Sequence, residues 1–258
     1  MIKKLSIIGS GNVASHLASI FFTHDIQVKE IYSHTFQHAE ELASKVKANA
    51  IEDISKLSDD TDLFIIAIKD DFIEEVANCL TNKKVPIVHT SGSISIDVLK
   101  NATSYGSLYP LQTFSKHVPV DENKIPWCIE ASNNNFLDAL KTFTALFSTN
   151  TQVVDSKQRL ALHVAAVFAC NFTNAMLAQA EDICKEKEVD FGLLKPLIEE
   201  TLRKSLNESP SNVQTGPAIR KDYKTINKHQ ELLNKDKREV YTYLSELIMN
   251  RYHDKTKL

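Results

Sequence analysis

The feature that most constrains this chain is a glycine-rich turn near its start, which joins an apolar run at residues 5–8 to a helical pattern. Gly9, Gly11 and Ala14 have the spacing G-x-G-x-x-A. In that spacing the first glycine allows a sharp turn, the second leaves room for a pyrophosphate, and the alanine lets the helix pack close to the strand. Because strand and helix patterns flank the turn, it predicts a dinucleotide site, with an ordinary strand-to-helix turn as the alternative. The predicted cofactor contacts are Gly9, Ser10, Gly11, Asn12 and Val13.

The residues after the second predicted strand, at 28–32, bear on the choice of dinucleotide. NAD sites usually place Asp or Glu at this point to bond the ribose 2′-hydroxyl. This chain has Ser33, His34 and Thr35, so no carboxylate would repel a 2′-phosphate, and a hydroxyl and an imidazole could bond one. These residues are therefore predicted cofactor contacts that favour NADP, with NAD as the alternative. A second alternative is that they merely cap the helix that begins near Phe36.

Two further predicted strands, at 62–68 and 85–89, would bring polar residues to the same edge of the sheet. The first is a continuous apolar run, typical of a strand buried on both faces, and it ends in Ile68 and Lys69. The second leads into Ser91 and Gly92, which offer a hydroxyl and exposed backbone where a nicotinamide would lie. Because ligands border the carboxyl ends of parallel strands, these four residues are predicted cofactor contacts. Gln112 follows a strand at 106–109 and is a predicted substrate contact.

The order of strand and helix patterns predicts the fold class. Strands and helices alternate as far as residue 154, which predicts an α/β domain with a doubly wound, mainly parallel sheet. From residue 155 onward the pattern is helical, and it predicts an all-α domain. The predicted domains are therefore 1–154, which binds the dinucleotide, and 155–258, which serves the substrate.

Composition limits the range of partners. The net charge of −3 offers no broad basic field to nucleic acid, and a hydrophobic share of 43% is ordinary for a soluble protein. The four cysteines form no C-x-x-C pair, so no metal site is expected, and Cys128 and Cys170 are interpreted as buried. No signal peptide precedes the first strand, and the apolar stretch 160–180 contains too many polar residues for a membrane span. We therefore expect a cytoplasmic protein without membrane or nucleic-acid partners, and we interpret 160–180 as a buried helix.

A polar stripe marks the helix predicted at 156–187. At 100° per residue, Asn171 and Asn174 lie on the same side of this helix as His163, among Leu, Val, Ala and Phe. A buried polar stripe needs hydrogen-bonding partners or a ligand. We interpret His163 and Asn171 as catalytic residues facing the nicotinamide and the substrate, and Asn174 as a substrate contact. The alternative is that these residues make hydrogen bonds between helices.

A polar loop at 209–219 is the second candidate site in the helical half. Gln214, Thr215, Gly216 and Arg220 supply an amide, a hydroxyl, a flexible backbone and a guanidinium within a few residues. Arg220 could hold a carboxylate or phosphate with two parallel hydrogen bonds. We interpret these residues as substrate contacts, and the alternative is a simple connection between helices.

Several of these stretches together resemble one protein family. They are residues 9–14, 89–93, 109–114 and 162–174, and the loop 214–218 with Arg220. Along nearly its whole length the chain is similar to proteins that join a Rossmann-like domain to a helical domain of unknown function, number 2520, and are often labelled NADP oxidoreductases. The resemblance implies an architecture related to pyrroline-5-carboxylate reductase, 6-phosphogluconate dehydrogenase and ketopantoate reductase. It also implies a homodimer joined largely through the helical domains, and it implies no particular substrate.

Two positions depart from the pattern that this resemblance implies. Several dehydrogenases of the wider superfamily place Lys four residues before a catalytic Asn, whereas Val167 stands four residues before Asn171 here. His163 is the nearest substitute, because histidine exchanges protons near neutral pH. Many family members have His where this chain has Tyr109, so any role of that histidine is in question here.

We therefore expect an NADP-dependent oxidoreductase that transfers a hydride between nicotinamide and a C=O or C=N group of a small polar substrate in an interdomain cleft. His163 would donate the proton, Asn171 would orient the substrate, and Ser91 would place the nicotinamide. One alternative is a catalytically inactive dinucleotide-binding scaffold or sensor. Another is a reductase that uses a pterin- or flavin-like reductant in the same cleft.

Overall fold

The computed structural model describes residues 1–116 and 118–253 of the chain. These residues form two compact units, which divide between Asn171 and Phe172. The first unit contains a sheet with helices, and the second is helical.

The sheet of the first unit confirms the predicted doubly wound α/β class. Its strands are β1 Lys4–Ile8, β2 Gln27–Tyr32, β3 Asn49–Ile51, β4 Leu63–Ile66, β5 Ile87–His89, β6 Tyr105–Pro110, β7 Trp127–Ala131 and β8 Thr151–Val153. They lie in the order β3-β2-β1-β4-β5-β6-β7-β8. Within the described residues, β6 and β7 pair antiparallel and all other neighbouring strands pair parallel. The carboxyl ends of β1, β2, β4, β5 and β6 therefore meet at one edge.

The helices of the first unit cover both faces of this sheet. They are α1 Asn12–Thr23, α2 Phe36–Val46, α3 Ile73–Cys79, α4 Asn134–Thr144 and α5 Ser156–Ala166, with short 3₁₀ helices at Ile54–Lys56, Asp70–Phe72, Ile96–Leu99 and Glu122–Lys124.

Strand β4 shows how the core is divided between the two faces. Leu63 and Ile65 pack in one apolar cluster with residues of α1, α2 and α4, whereas Phe64 and Ile66 pack in another with residues of α3. Alternate side chains of a strand point to opposite faces, so a continuous apolar run is buried on both. All four side chains have an exposed fraction of 0%, as the sequence predicts.

The second unit consists of helices in its described part. They are α6 Thr173–Glu186, α7 Lys195–Asn207, α8 Tyr223–Leu232 and α9 Lys235–His253, with a 3₁₀ helix at Phe191–Leu194 before α7. The Asp190 side chain caps that short helix by accepting a hydrogen bond from the N–H of Gly192 at 2.8 Å. The predicted helical half is confirmed, with small shifts at the helix ends.

A π-helix at Val167–Phe172 interrupts the regular helix that the sequence predicts from 156 to 187. Its hydrogen bonds span five residues instead of four, so each turn contains more residues than in an α-helix. The prediction that Asn171 and Asn174 align with His163 assumed 100° per residue, and that assumption is wrong beyond Val167. π-Helical turns occur frequently at functional sites.

The interpretation of 160–180 as a buried helix is wrong, because the single chain leaves much of this stretch exposed. Cys170 is exposed, and Leu160 and Val164 expose 43% and 48% of their surface. Ser156–Glu186 is long and apolar enough to cross a membrane by length and composition alone. Its most apolar 18-residue segment has a mean hydropathy of 1.5, and none of that segment is buried. Cys128, in contrast, is buried as expected.

Candidate cofactor and active site

The two glycines of the turn after β1 are needed for different reasons. Gly9 has a φ of +129°, and a Cβ there would overlap the carbonyl oxygen of Ala67. Its N–H donates to the Tyr32 carbonyl at 2.8 Å and ties the end of β1 to the end of β2. Gly11 is the N-cap of α1, and no described atom lies within 4 Å of a Cβ added there. The N-terminus of α1 therefore faces open space that suits a pyrophosphate.

A cavity of about 730 Å³ begins at this turn and crosses the carboxyl edge of the sheet as far as Tyr109 of β6 and His163 of α5. The strand order reverses between β1 and β4, and ligands of open α/β sheets bind at such a point. The cavity brings together most of the predicted cofactor residues with one predicted substrate contact and one predicted catalytic residue. The predicted residues that line it are Gly9, Ser10, Gly11, Asn12, Val13, Ser33, His34, Ile68, Lys69, Ser91, Gly92, Gln112 and His163.

The residues after β2 lie where a ribose 2′-substituent is expected. The hydroxyls of Ser10 and Ser33 are 2.8 Å apart, and His34 lies beside them on the cavity wall. Thr35 is outside the lining residues and occupies the N-cap position of α2, although its side chain makes no capping hydrogen bond. Ser33 and His34 thus bring a hydroxyl and an imidazole to this end of the cavity.

The loop after β5 is held by its own side chains. The hydroxyl of Ser91 accepts hydrogen bonds from the N–H groups of Ser93 and Ile94, both at 3.1 Å. Nδ1 of His89 accepts the Ser91 N–H at 3.2 Å. Burial, reinforced by the positive charge of Arg159, lowers the pKa of His89 to about 3, so this ring is neutral at physiological pH. These hydrogen bonds hold the loop that presents Ser91 and Gly92 to the cavity.

Arg159 ties this loop to α5 and to β7. Its side chain is fully buried, and its guanidinium forms an ion pair with Glu130 of β7. It also donates to the carbonyls of Ser91 at 3.2 Å and Ile94 at 2.6 Å, and to the hydroxyl of Ser156 at 3.1 Å. Because Arg159 lies one turn before His163, this cluster fixes where α5 approaches the cavity.

His163 meets two residues of the sheet edge. Its Nδ1 lies 3.1 Å from the Tyr109 hydroxyl, and the two rings are edge-to-face with centroids 6.0 Å apart. A Cβ added to Gly92 would lie 2.7 Å from the same Nδ1, so a side chain at that position would displace the imidazole. Burial raises the pKa of Tyr109 to about 12, which keeps its phenol protonated at neutral pH.

The segment after β6 lies against α1. The side-chain amide of Asn12 donates to the carbonyl of Phe114 at 3.1 Å, and the His16 ring stacks on the Phe114 ring with centroids 4.7 Å apart. Gln112 lines the cavity, and its side-chain oxygen accepts the N–H of Thr113 at 2.8 Å. Phe114 thereby forms part of the wall beside the glycine turn.

The other predicted residues lie outside the lining of this cavity. Asn171 is exposed within the π-helix, and Asn174 is exposed on α6 of the second unit. In the loop before α8, the side-chain amide of Gln214 donates to the Thr215 carbonyl at 2.9 Å, and Gly216 has a φ of +111°. Arg220 follows in the same loop. Hydrogen bonds from the Thr225 hydroxyl and N–H lower the pKa of Asp222, and the charge of Arg220 adds to that effect.

Sequence reasoning missed three residues that shape the site. Tyr109 ends a strand at the carboxyl edge, so the rule that identified Ser91 and Gly92 could also have identified it. Phe114 belongs to the cavity wall through a segment with no periodic signal. Arg159 gives no local signal, because its partners lie far away in the sequence.

The fold and this site define a class: an open α/β dinucleotide-binding domain followed by a helical domain. Two family profiles match the chain, "NADP oxidoreductase coenzyme F420-dependent" at residues 4–98 and "Domain of unknown function (DUF2520)" at 125–248. No curated protein matches it.

One solved structure gives the same assignment, and two more distant ones share the fold. A Bacteroides fragilis protein, provisionally described as an NADP oxidoreductase, is 38% identical, with 97% of this chain and 99% of that chain covered and a TM-score of 0.91. A Thermotoga maritima protein is 21% identical over 98% of this chain and 100% of that chain, with a TM-score of 0.70. An imine reductase from Myxococcus stipitatus in complex with NADP⁺ is 13% identical over 98% and 94%, with a TM-score of 0.69, and shares the fold. The chain belongs to the family that joins an NADP oxidoreductase domain to the domain of unknown function DUF2520.

Proposed function

We propose that this protein is an NADP-dependent oxidoreductase acting on a C=O or C=N group of a small polar substrate. The observation that carries the proposal is one cavity that runs from the glycine turn to the Tyr109–His163 pair. The description of the B. fragilis relative and the NADP⁺ complex of the imine reductase agree with it. Assignment of residues 1–154 to the cofactor and 155–258 to substrate and dimer contacts is part of the same proposal.

The residues of the cavity fit the cofactor. Open space at Gly11 and the N-terminus of α1 suit the pyrophosphate, and Ser33 and His34 offer hydrogen bonds to a 2′-phosphate without a carboxylate to repel it. Ser91 and Gly92 would border the nicotinamide. The proposed cofactor set retains Thr35 and also comprises Ser10, Asn12, Val13, Ile68 and Lys69.

NADPH supplies the hydride when it is bound, and the chain's own residues bind, orient and protonate. His163 is the proposed proton donor, because it places an imidazole on the cavity wall and histidine is the commonest general acid in enzymes. Asn171 is proposed to orient the carbonyl or imine. The proposed substrate contacts are Gln112, Asn174, Gln214, Thr215, Gly216 and Arg220.

Replacing His163 by alanine tests the proposed catalysis. We expect turnover of NADPH with a panel of ketones and cyclic imines to fall by about 10²–10⁴-fold, the usual contribution of a general acid. The affinity for NADPH should change little, because binding rests mainly on the glycine turn. A wild-type protein that binds NADPH tightly but turns over no member of the panel would instead support the inactive scaffold or sensor.

We further propose a cytoplasmic homodimer in which the exposed apolar residues of the helices are covered by a second copy. Around α7, Leu193, Leu197 and Leu206 expose 71%, 64% and 85% of their surface, and burial of such side chains stabilises association. Arg159 and His163 hold α5 against strands of the sheet through Glu130 and Tyr109. This attachment favours a protein partner, and not lipid, as what covers the exposed apolar residues. All four cysteines are unpaired, in agreement with a reducing compartment.

Replacing Leu197 by glutamate is expected to weaken this dimer. A charge at a desolvated interface lacks a partner, so the dimer dissociation constant should rise at least tenfold, or about 1.4 kcal/mol. Analytical ultracentrifugation measures it, with Lys228→Glu on the exposed face of α8 as the charge-changing control. A wild-type monomer at high concentration, or partition of the protein into membranes, would contradict the dimer.

A further inference from the structure

We propose that Tyr109 and His163 form a proton relay, in which the proton passes from His163 Nε2 to the substrate and the Tyr109 hydroxyl replaces it at Nδ1. The inference rests on the proposed function, because the relay serves the reduction of a C=O or C=N group. It adds a second residue and a direction of proton movement to the general acid.

The geometry assigns different roles to the two ring nitrogens of His163. Nδ1 is enclosed on two sides, by the Tyr109 hydroxyl at 3.1 Å and by Gly92, where even a Cβ would lie 2.7 Å away. Nε2, across the ring, is the nitrogen left for another partner. When the phenol donates to Nδ1, the proton of the neutral imidazole is on Nε2, where it can be transferred.

The groups around the pair keep the phenol protonated overall, and one of them favours its anion. Burial raises the pKa of Tyr109 to about 12, and the thiols of Cys128 on β7 and Cys170 act in the same direction. The guanidinium of Arg159 acts in the opposite direction and stabilises a phenolate. Among the described residues, the other ionisable side chains on the cavity wall are Tyr32, His34, Lys69, Asp70 and Glu75.

The step balances in atoms and charge. The substrate carbon gains the hydride, the π-electron pair moves to the oxygen or nitrogen, and that atom takes the proton from His163 Nε2. Nδ1 takes the phenol proton as the N–H bond at Nε2 breaks, so the imidazole stays neutral and changes tautomer. The O–H electron pair remains on Tyr109 as phenolate, which then recovers a proton from water. No imidazolium is needed at any point.

The relay predicts how the Tyr109→Phe variant depends on pH. Without the phenol, only the imidazolium can act as the acid, and histidine side chains in general lose that charge between pH 5 and pH 8. Relative to wild type, turnover of Tyr109→Phe should be within about threefold at pH 5 and at least about tenfold lower at pH 8. Tyr105→Phe on the same strand is the matched control and should follow wild type at both pH values.

Nitrogen-15 NMR, which requires no turnover, determines the direction of the Tyr109–His163 hydrogen bond independently. In full-length protein with ¹⁵N-labelled histidine at pH 8, the His163 signals are those absent from His163→Ala. We expect a proton on Nε2 and an Nδ1 that accepts a hydrogen bond, with the Nδ1 resonance shifting in Tyr109→Phe and not in Tyr105→Phe. A proton on Nδ1 in the wild-type protein would overturn the relay.

The kinetic and spectroscopic results separate this proposal from the proposed function. A loss of turnover in Tyr109→Phe that is equal at pH 5 and pH 8 would overturn the relay, because Tyr109 would then act only on the structure of the site. Wild-type protein that turns over no ketone or imine at any pH would contradict the reductase itself, whatever the tautomer of His163.

Discussion

Replacement of Arg159 by methionine is expected to cost about 3–5 kcal/mol in the free energy of unfolding, the range for breaking a buried ion pair from one side. The substitution leaves Glu130 without its counter-charge and removes the donors to the Ser91 and Ile94 carbonyls. Methionine preserves most of the side-chain volume, so the loss of stability would come from the missing polar contacts and not from a cavity. Urea unfolding monitored by circular dichroism measures it.

Arg203 provides a matched control for this substitution. It also pairs with a glutamate, Glu200, but on the surface of α7, where its side chain is 60% exposed. Solvent screens exposed pairs, so Arg203→Met should change the free energy of unfolding far less than Arg159→Met does. Pairing Arg159→Met with Glu130→Leu should recover part of the loss, because no charge is then stranded. Equal effects of Arg159→Met and Arg203→Met would contradict the assigned role of Arg159.

Substitution of the two turn glycines by alanine should separate folding from cofactor binding. Gly9→Ala places a Cβ against the Ala67 carbonyl at a φ of +129°, so we expect a loss of at least about 3 kcal/mol or no folded protein. Gly11→Ala meets no described atom within 4 Å and should change stability by about 1 kcal/mol or less. Its methyl group would occupy the pyrophosphate position, so NADPH affinity should fall at least tenfold, or about 1.4 kcal/mol.

Thermal unfolding and NADPH titration of both variants check this pair of predictions. The informative variant is Gly11→Ala, because its fold is expected to stay intact. If Gly11→Ala folds normally and binds NADPH as wild type does, then the pyrophosphate lies elsewhere. If Gly9→Ala is as stable as wild type, then the collision with Ala67 is not a real constraint on the turn.

The parts of the fold that follow local rules could be predicted from the sequence. The spacing of Gly9, Gly11 and Ala14 predicts the turn, and the apolar run at residues 62–68 predicts a strand buried on both faces. Ser33, Ile68 and Ser91 follow strands that end at the same edge of the sheet, and they line one cavity there. These predictions succeed because backbone conformation, hydrophobic pattern and parallel connection all act over short stretches of chain.

Features that depend on distant partners could not be predicted in this way. Arg159 reads as one polar residue on a helix, and its role comes from Glu130, Ser91 and Ile94, which the fold brings to it. The π-helix at Val167–Phe172 has no period that distinguishes it from an α-helix in the sequence. The exposure of the apolar stretch 160–180 could not be predicted either, since an apolar helix face looks the same in the sequence whether or not the chain itself covers it.

The Tyr109–His163 pair lies between these two cases. The end of a strand at the carboxyl edge marks Tyr109 as a candidate, and the helix that begins after Asp155 carries His163. Their contact at 3.1 Å depends on how α5 is anchored by Arg159, which no local signal reveals. The sequence can therefore name each residue of such a site, but only the structure shows which of these residues are in contact.

The central claim is that the cavity after the glycine turn binds NADP(H), and direct titration tests it most simply. Purified full-length protein is titrated with NADPH and, separately, with NADH, and binding is followed by nicotinamide fluorescence. Saturable binding of both, with NADPH tighter because Ser33 and His34 replace the usual carboxylate, is the predicted result. Absence of binding to either dinucleotide at millimolar concentration would contradict the account.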